Sequence, residues 1–488
     1  MGGLSKKAYQ LEKLRSQYKL PSLTIDGGNL LFKYEHIAPG LLQQMTIAAE
    51  GIVDAYNLMH YDAVGVGKND LAAGLSFLKT QADRSKFIWL SANLVRRSDG
   101  QPIFSASLTR KIGDMTVGII GLTGHDGKTQ FKPDDDAVIL PWQDILPRRI
   151  AELSDECDMV ILLSNYSNEQ NKEIANTFPG IHLIVQSQPR GGNSNPQLIN
   201  KSLMAQTGKE GKYLGWMLID WQKSRSWGRN GAVKDLAVKK QELDGINGRI
   251  SRIEHREPKE SLVSNTSYQN LIKKREQLQT SINFLESELS DYRQTGRVPS
   301  TYENNFITLE ADLPDQPAVE KIVKTVKENI NRTGKKSVAV ATAAAGKPGD
   351  KRLAETPFVG WRACEKCHKP QTEFWERTDH SAAYQTLVEA EQQFNLDCVG
   401  CHVTAKYETI KISDNDADLL TLPSELKQVG CEICHGPGRF HAASRDPKSI
   451  SRRPAASVCL RCHTPERDEK FNYKNDLIRI ACPAGKGE

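Results

Sequence analysis

Cys364-Glu-Lys-Cys367-His368, Cys398-Val-Gly-Cys401-His402, Cys431-Glu-Ile-Cys434-His435 and Cys459-Leu-Arg-Cys462-His463 are four copies of one pentapeptide, all within the last quarter of the chain. The spacing has a mechanical reading. Two thiols three residues apart can bond the two vinyl groups along one porphyrin edge, and the next residue then lies over the iron as an imidazole ligand. Zinc or iron–sulfur sites also use Cys-x-x-Cys pairs, but they do not call for His after every pair. The pattern therefore predicts four covalent c-type haems, attached through Cys364, Cys367, Cys398, Cys401, Cys431, Cys434, Cys459 and Cys462, with His368, His402, His435 and His463 as proximal ligands.

Ligand counting narrows the rest. Beyond those four histidines the C-terminal segment holds only His380 and His441, and it has no Met. His441 follows His435 by six residues, a reach of at most ~20 Å when extended. Passing round a porphyrin rim within that reach is awkward, so His441 is expected to cap a neighbouring haem. Two haems must then take a sixth ligand from elsewhere or have none. His125, His182 or His255, another chain, a Lys, water and an open site all remain as sources. The last 130 or so residues carry little aliphatic surface, so folding there is expected to be coupled to haem attachment.

The whole chain has 488 residues and a formal charge of +5. Ferric haems with ionised propionates each add roughly −1, which leaves no basic excess suited to nucleic acid. Two cysteines fall outside the motifs, Cys157 and Cys482, either as a pair or with Cys157 as a buried thiol. No run of 18 apolar residues is present, so no membrane-spanning segment is expected. Residues 1–20 lack a signal-peptide core. Covalent haem is attached after export, so an export or lipoprotein signal, with a lipid anchor in the second case, is expected upstream in the precursor. The protein is then periplasmic, extracellular or on the cell surface.

Upstream of the haem segment the chain is expected to be multidomain. Over 1–225, strand-length apolar runs such as Ala63-Val-Gly-Val66 and Met159-Val-Ile-Leu-Leu163 alternate with helical segments such as Leu41 to Met59, giving a layered α/β domain. Over 226–298, Leu243, Ile246, Ile250 and Ile253, then Leu271, Leu278, Ile282 and Leu285, follow heptad-like spacing. Pro258 separates the two runs, so an antiparallel coiled-coil helical hairpin is expected, serving as a structural arm or as a homo-oligomerisation or docking arm. A strand and a helix return over 299–332. The Ala/Gly/Lys-rich stretch 333–355 reads as a linker, and 356–488 is the mostly α/irregular haem domain.

The α/β part resembles the metallophosphoesterase domain of bacterial 5′-nucleotidases. Leu23-Thr-Ile-Asp-Gly-Gly-Asn29, Tyr61-Asp-Ala-Val-Gly-Val-Gly-Lys-Asn-Asp70, Leu162-Leu-Ser-Asn165 and Tyr213-Leu-Gly215 carry the likeness by order and spacing. The resemblance implies two metal ions held by Asp, His and Asn ligands that generate a hydroxide nucleophile. The chain departs from that pattern at the ligand positions. The bridging Asp reads Asn29, the Asn-His-Glu loop reads Lys68-Asn69-Asp70, a ligand His reads Asn165, and the Gly-His-x-His reads Ser187-Gln188-Pro189-Arg190. The Asp-x-His that opens such domains would precede Gly2. Amides, Lys and Arg remove the anionic ligand field, so no hydrolase activity is expected. Phosphate binding without hydrolysis, through Lys68 and Arg190, is a lesser reading.

The haem segment resembles the tetrahaem cytochrome c-554 family. Val359-Gly-Trp-Arg-Ala-Cys364, Trp375-Glu-Arg-Thr-Asp-His380 and Val429-Gly-Cys431-Glu-Ile-Cys434-His435-Gly-Pro-Gly438 carry it over about 358–464. The likeness implies closely spaced haems, electron exchange with redox partner proteins, His380 and His441 as distal ligands, and an open iron at the second motif. An electron carrier with an inactive phosphoesterase-like scaffold or docking face is the expected function. The rival is a haem enzyme acting on a small nitrogen or oxygen species at an open iron.

Overall fold

The computed structural model describes residues 3–483 except 125–130, 133–134, 189–190, 209–210, 223–225, 229–231, 256–261, 263–264, 296–298, 346–352, 354–355, 405–416, 465–466 and 469. The N-terminal part is a four-layer sandwich. Its first sheet is parallel: β1 (Ile25–Asp26), β2 (Ala63–Gly65) and β3 (Ile88–Leu90). The second has six strands: β4 (Ser107–Ile112), β5 (Met115–Leu122), β6 (Met159–Ser164), β7 (Leu183–Gln186), β8 (Ser194–Ile199) and β9 (Ser202–Gln206), in the spatial order β8-β9-β7-β6-β5-β4. Its centre is parallel and its two outer pairs are antiparallel.

β6 is buried at all six positions, as a parallel strand covered on both faces must be, which is why it reads as an unbroken apolar run rather than an alternation. Ala63 and Leu90 of the first sheet pack against Ile119, Ile161, Leu163 and Leu183 of the second. On the outer face of the six-stranded sheet lie the helices Trp142–Ser154 and Asn168–Thr177. Helices α1 (Leu4–Tyr18) and α2 (Pro39–Leu58) cover the other sheet, with Tyr56 and Val53 at the centre of that layer.

An antiparallel pair, β10 (Tyr213–Asp220) and β11 (Thr301–Thr308), brackets the helical insertion. Within the insertion, α3 (Ala232–Glu254) and α4 (Thr266–Thr295) pack through Ile246, Ile250 and Leu278. Lys240–Glu286 and Lys274–Glu242 ion pairs at 2.7 Å flank that seam. The arm is thus a helical hairpin. The side chains of Leu285 and Leu289 lie outside the described residues.

One expectation is corrected here. The helix α5 after β11 runs Pro317–Ala345, through the first half of the stretch read as a linker. Tertiary packing explains the difference. Gly51 of α2 lies against Val326 with no room for a side chain. Further along α5, Val338 packs on the core of the C-terminal unit together with Leu41. Gly334 lies so close to the Phe394 carbonyl that a Cβ would collide with it, so this glycine marks a close approach rather than a break. The Gln44 amide completes the junction, donating to the Phe394 carbonyl at 2.8 Å and accepting from the Leu396 N–H at 2.9 Å.

The C-terminal unit consists of short helices around a small core of Phe358, Leu387, Leu396, Val399, Val403, Leu419, Leu420, Leu422 and Leu426. Among the described residues no helix is long and apolar enough to cross a membrane.

Candidate haem centre and a closed cleft

Each Cys-x-x-Cys-His sits on a helical turn. The His368 and His463 N–H groups donate to the carbonyls of Cys364 and Cys459, both at 2.9 Å, while the second and third motifs lie in the helices Leu396–His402 and Cys431–His435. A turn of helix puts the two thiols of a motif on one side, one turn apart, as attachment to one porphyrin edge requires.

Two pairs of imidazoles face each other. His368 and His441 have ring centres 6.2 Å apart, and His380 and His463 have theirs 6.1 Å apart. Metal–imidazole bonds of about 2 Å place two axial rings roughly 6 Å apart across one iron. The donor set therefore fits haem iron. His441 stands opposite the proximal position of the first motif, not its own, in keeping with the short reach from His435.

The hydrogen bonds fix the tautomers. The Nδ1 of His402 lies 2.5 Å from the Ala383 carbonyl, that of His435 2.6 Å from the Ser451 carbonyl, and that of His441 3.0 Å from the Asp446 carbonyl. A carbonyl only accepts, so Nδ1 carries the proton and Nε2 keeps its lone pair for a metal. Ser451 also donates its N–H to the His435 carbonyl at 2.8 Å, clamping that ring at two points. Burial, then the neighbouring His463, lowers the pKa of His380, which favours its neutral imidazole.

The motifs lie side by side. The Cys364 thiol donates to the Gly360 carbonyl at 3.7 Å, and the neighbouring Cys431 thiol, then burial, push it up. The neighbouring Cys462 thiol pulls Cys401 down to about 6. Cys434 is pushed up to about 11 by burial and then by Cys459. The helix Cys431–His435 packs against both Trp361–Glu365 and Ala456–Cys459, and Arg467 after the fourth motif pairs with Asp397 beside the second at 3.3 Å, so the motifs follow in space as first, third, fourth, second.

Sequence reading missed Glu432. Lying between the thiols of the third motif and almost fully buried, it accepts N–H bonds from Val359 (2.9 Å), Gly360 (2.8 Å) and Gly438 (2.7 Å). It thereby ties the entrance of the first motif to the third. An acidic residue inside a motif was the only signal available, and it reads as an exposed side chain.

The N-terminal histidines are less suited to haem. His182 is buried, and its Nδ1 accepts the Val160 N–H at 2.9 Å while its ring packs edge-on to Trp221. As a core residue, its suggested role as a haem ligand is corrected. His255 is exposed at the end of α3, and His125 lies outside the described residues. Cys157 is buried beside Gly118 in the α/β core, whereas Cys482 is exposed in the C-terminal unit, so the two do not pair.

At the ends of β1, β2 and β6 the described polar side chains bond to one another and to the backbone. Asn29 follows Gly28 in a left-handed turn (φ 57° and 102°) and donates to the Ser187 carbonyl at 2.9 Å, while its Oδ1 accepts the Asn69 N–H at 3.0 Å. Asn165 donates to the Val66 carbonyl at 3.0 Å and accepts from Gly124 at 2.5 Å. Asp70, fully buried, accepts the N–H groups of Asn29, Leu31 and Gly67 at 2.8–2.9 Å. Burial pushes its carboxyl up to about 7 against those three donors. Lys68 is paired with Glu35 at 3.3 Å; Arg190 lies outside the described residues. Gln188 bonds to Gln186 at 3.2 Å.

Residues 363–436 match the family described as cytochrome c554 and c-prime. Cytochrome c-554 of Nitrosomonas europaea is 29% identical over 180 residues, 26% of this chain and 74% of that protein. The UshA protein of Salmonella pullorum is 27% identical over 178 residues, 34% of this chain but only 31% of its own length. Among solved structures, the sulfate thiohydrolase SoxB of Thermus thermophilus superposes with a TM-score of 0.47 at 14% identity, over 67% of this chain and 47% of that one. Residues 363–436 thus match the model of a family whose members imply c-type haem, and the N-terminal region is similar to metallophosphoesterases.

Proposed function

We propose that the chain is an exported electron carrier in which four covalent c-type haems form a row beside a phosphoesterase-like unit that no longer hydrolyses anything. The observation that carries this reading is the pair of imidazole clamps, His368/His441 and His380/His463, on a unit whose own apolar core is small. Two strong-field imidazoles hold an iron low-spin in both oxidation states, so little rearranges on electron transfer. Packing between the motif helices would bring the attached porphyrin edges of successive motifs side by side, in the order first, third, fourth, second. In this reading Cys364, Cys367, Cys398, Cys401, Cys431, Cys434, Cys459 and Cys462 hold the haems.

The closed cleft supports the scaffold role. Asn29, Asn165 and Asp70 are committed to backbone partners, and Lys68 to Glu35. The unit contacts the haem domain beside the second motif, through Gln44 and α5, and its remaining surface is offered to a redox partner. The hairpin is a structural or docking arm. Export to the periplasm or cell surface follows from covalent haem attachment.

One observation favours a second reading. Among the described residues neither His402 nor His435 has a facing imidazole, and 405–416 contains no His or Met. An open iron at His402 would bind a small nitrogen or oxygen species and make the protein a haem enzyme. Paramagnetic resonance of the oxidised holoprotein separates the two. A purely low-spin signal fits the carrier alone; a high-spin signal that vanishes with nitric oxide or cyanide fits the enzyme.

A further inference from the structure

The four motif histidines and His441 do not share one kind of support. His402, His435 and His441 give their Nδ1 protons to neutral backbone carbonyls. His463 instead lies 2.7 Å from a carboxylate oxygen of Asp468. We propose that Asp468 makes the haem of the fourth motif the lowest-potential centre of the row, by accepting the Nδ1–H of its ligand His463 with a full negative charge.

The physical chain is short. A carboxylate draws the Nδ1 proton more strongly than a carbonyl does, so the imidazole gains imidazolate character and donates more electron density through Nε2. A stronger anionic donor stabilises ferric over ferrous iron, and the nearby charge adds to this directly. The geometry that holds the carboxylate is built in. The Asp468 N–H donates to the Thr464 carbonyl at 2.8 Å, and its own carbonyl accepts from Phe471 at 3.2 Å. Phe471 then stacks on the His463 ring, 4.6 Å between centres and 18° between planes, which keeps the imidazole aimed at Asp468. The neighbouring Arg467 is turned to Asp397, at 3.3 Å, and so does not neutralise Asp468. On the other side of the same imidazole pair, Asp379 adds a second negative charge beside His380.

Position gives the difference a consequence. The fourth motif packs on the third and is tied to the second through Arg467 and Asp397, so an electron crossing the row meets its least favourable station inside the row rather than at an end. Such a centre divides the haems into two pairs, one on each side, that equilibrate quickly within themselves and more slowly with each other.

This inference rests on the four-haem reading, and the test keeps the two apart. Full-length holoprotein and its Asp468→Asn variant are first weighed intact, then titrated potentiometrically in the α-band. Asn keeps an oxygen acceptor in place and removes only the charge. The expected result is four haems in both proteins, with the lowest midpoint potential raised in the variant and the others unmoved, and with one low-spin resonance signal shifted. An unmoved lowest potential, or an equal shift of every centre, overturns the role of Asp468. Fewer than four haems in the parent protein refutes the four-haem reading instead. Should D468N lose a haem, D468S, in which a hydroxyl or water takes the hydrogen bond, is titrated in its place and read by the same criterion.

Discussion

The α/β unit and the haem unit dispose of their polar side chains in opposite ways. At the strand ends of the α/β unit the described amides and carboxylates are turned inward onto neighbours: Asn29 to Ser187, Asn165 to Val66, Asp70 to three N–H groups. In the haem unit the chemically capable groups are held but not consumed. His402, His435 and His441 are each anchored through Nδ1, leaving Nε2 free. His182 shows the contrast at a single residue type, since its Nδ1 is spent on accepting the Val160 N–H inside the α/β core. A side chain kept for chemistry is oriented from behind. One kept for the fold is satisfied from the front.

The apolar cores differ in the same sense. Three large clusters hold the sandwich together without help, whereas the haem unit has one cluster of nine buried residues. Four porphyrins would supply the missing core, so stability is expected to depend on haem in one unit and not in the other. The sharpest way to break the comparison is to replace Cys364 and Cys367 together by Ala. One haem mass should disappear and the C-terminal unit should become sensitive to protease, while the unfolding transition of the α/β unit stays where it was. A simultaneous loss of both units would erase the distinction.

Glu432→Ala is expected to have the next largest effect. It strands three N–H donors, two of them buried and one half-buried, that the carboxylate now accepts, at a cost of about 3–5 kcal/mol to the haem unit. Denaturant titration followed by haem absorbance measures it; a cost below about 1 kcal/mol would show that water replaces the carboxylate freely.

Asp70 tests the other unit through pH. Its carboxyl is pushed up to about 7 by burial, so between the unfolded carboxylate range and pH 7 the folded state binds the extra proton. Stability of the α/β unit should therefore be greatest in mild acid and fall as pH rises towards 7, by at most about 1.4 kcal/mol per pH unit. Asp70→Asn should abolish that slope while lowering stability throughout, because an amide cannot accept all three bonds. A parent profile that rises from pH 5 to 8 would mean that the three N–H donors outweigh burial.

The smallest expected effect is none. Manganese, cobalt or zinc added to the purified protein should produce no hydrolysis of nucleotides or simple phosphate esters, because Asn29, Asn165 and Asp70 are bound to backbone partners and Lys68 to Glu35. Metal-dependent turnover that co-purifies with the chain would reopen the cleft as an active site.

Much of this was legible in the sequence, and the limits have physical causes. The haem motifs are local, so thiol spacing and the following His could be read directly from Cys364 to His463. The short reach from His435 to His441 pointed to a neighbouring haem. That His441 faces His368 of the first motif depends on the packing of Trp361–Glu365 against Cys431–His435, which no spacing encodes. Buried parallel strands such as Met159–Ser164 announced themselves as unbroken apolar runs. The stretch after Thr333 misled because its Ala, Gly and Lys are equally the composition of a helix with a small-residue contact face, and only Phe394 lying against Gly334 distinguishes the two. Glu432 and Asp468 escaped because charged residues read as solvated until their partners are known.

The most direct test of the account is the intact mass of the full chain after maturation in an export pathway, taken with its reduced-minus-oxidised spectrum. The account predicts the polypeptide plus four haem masses, resistant to denaturing solvent, with sharp c-type α-bands on reduction. Fewer covalent haems, or zinc or iron–sulfide in their place, would contradict it.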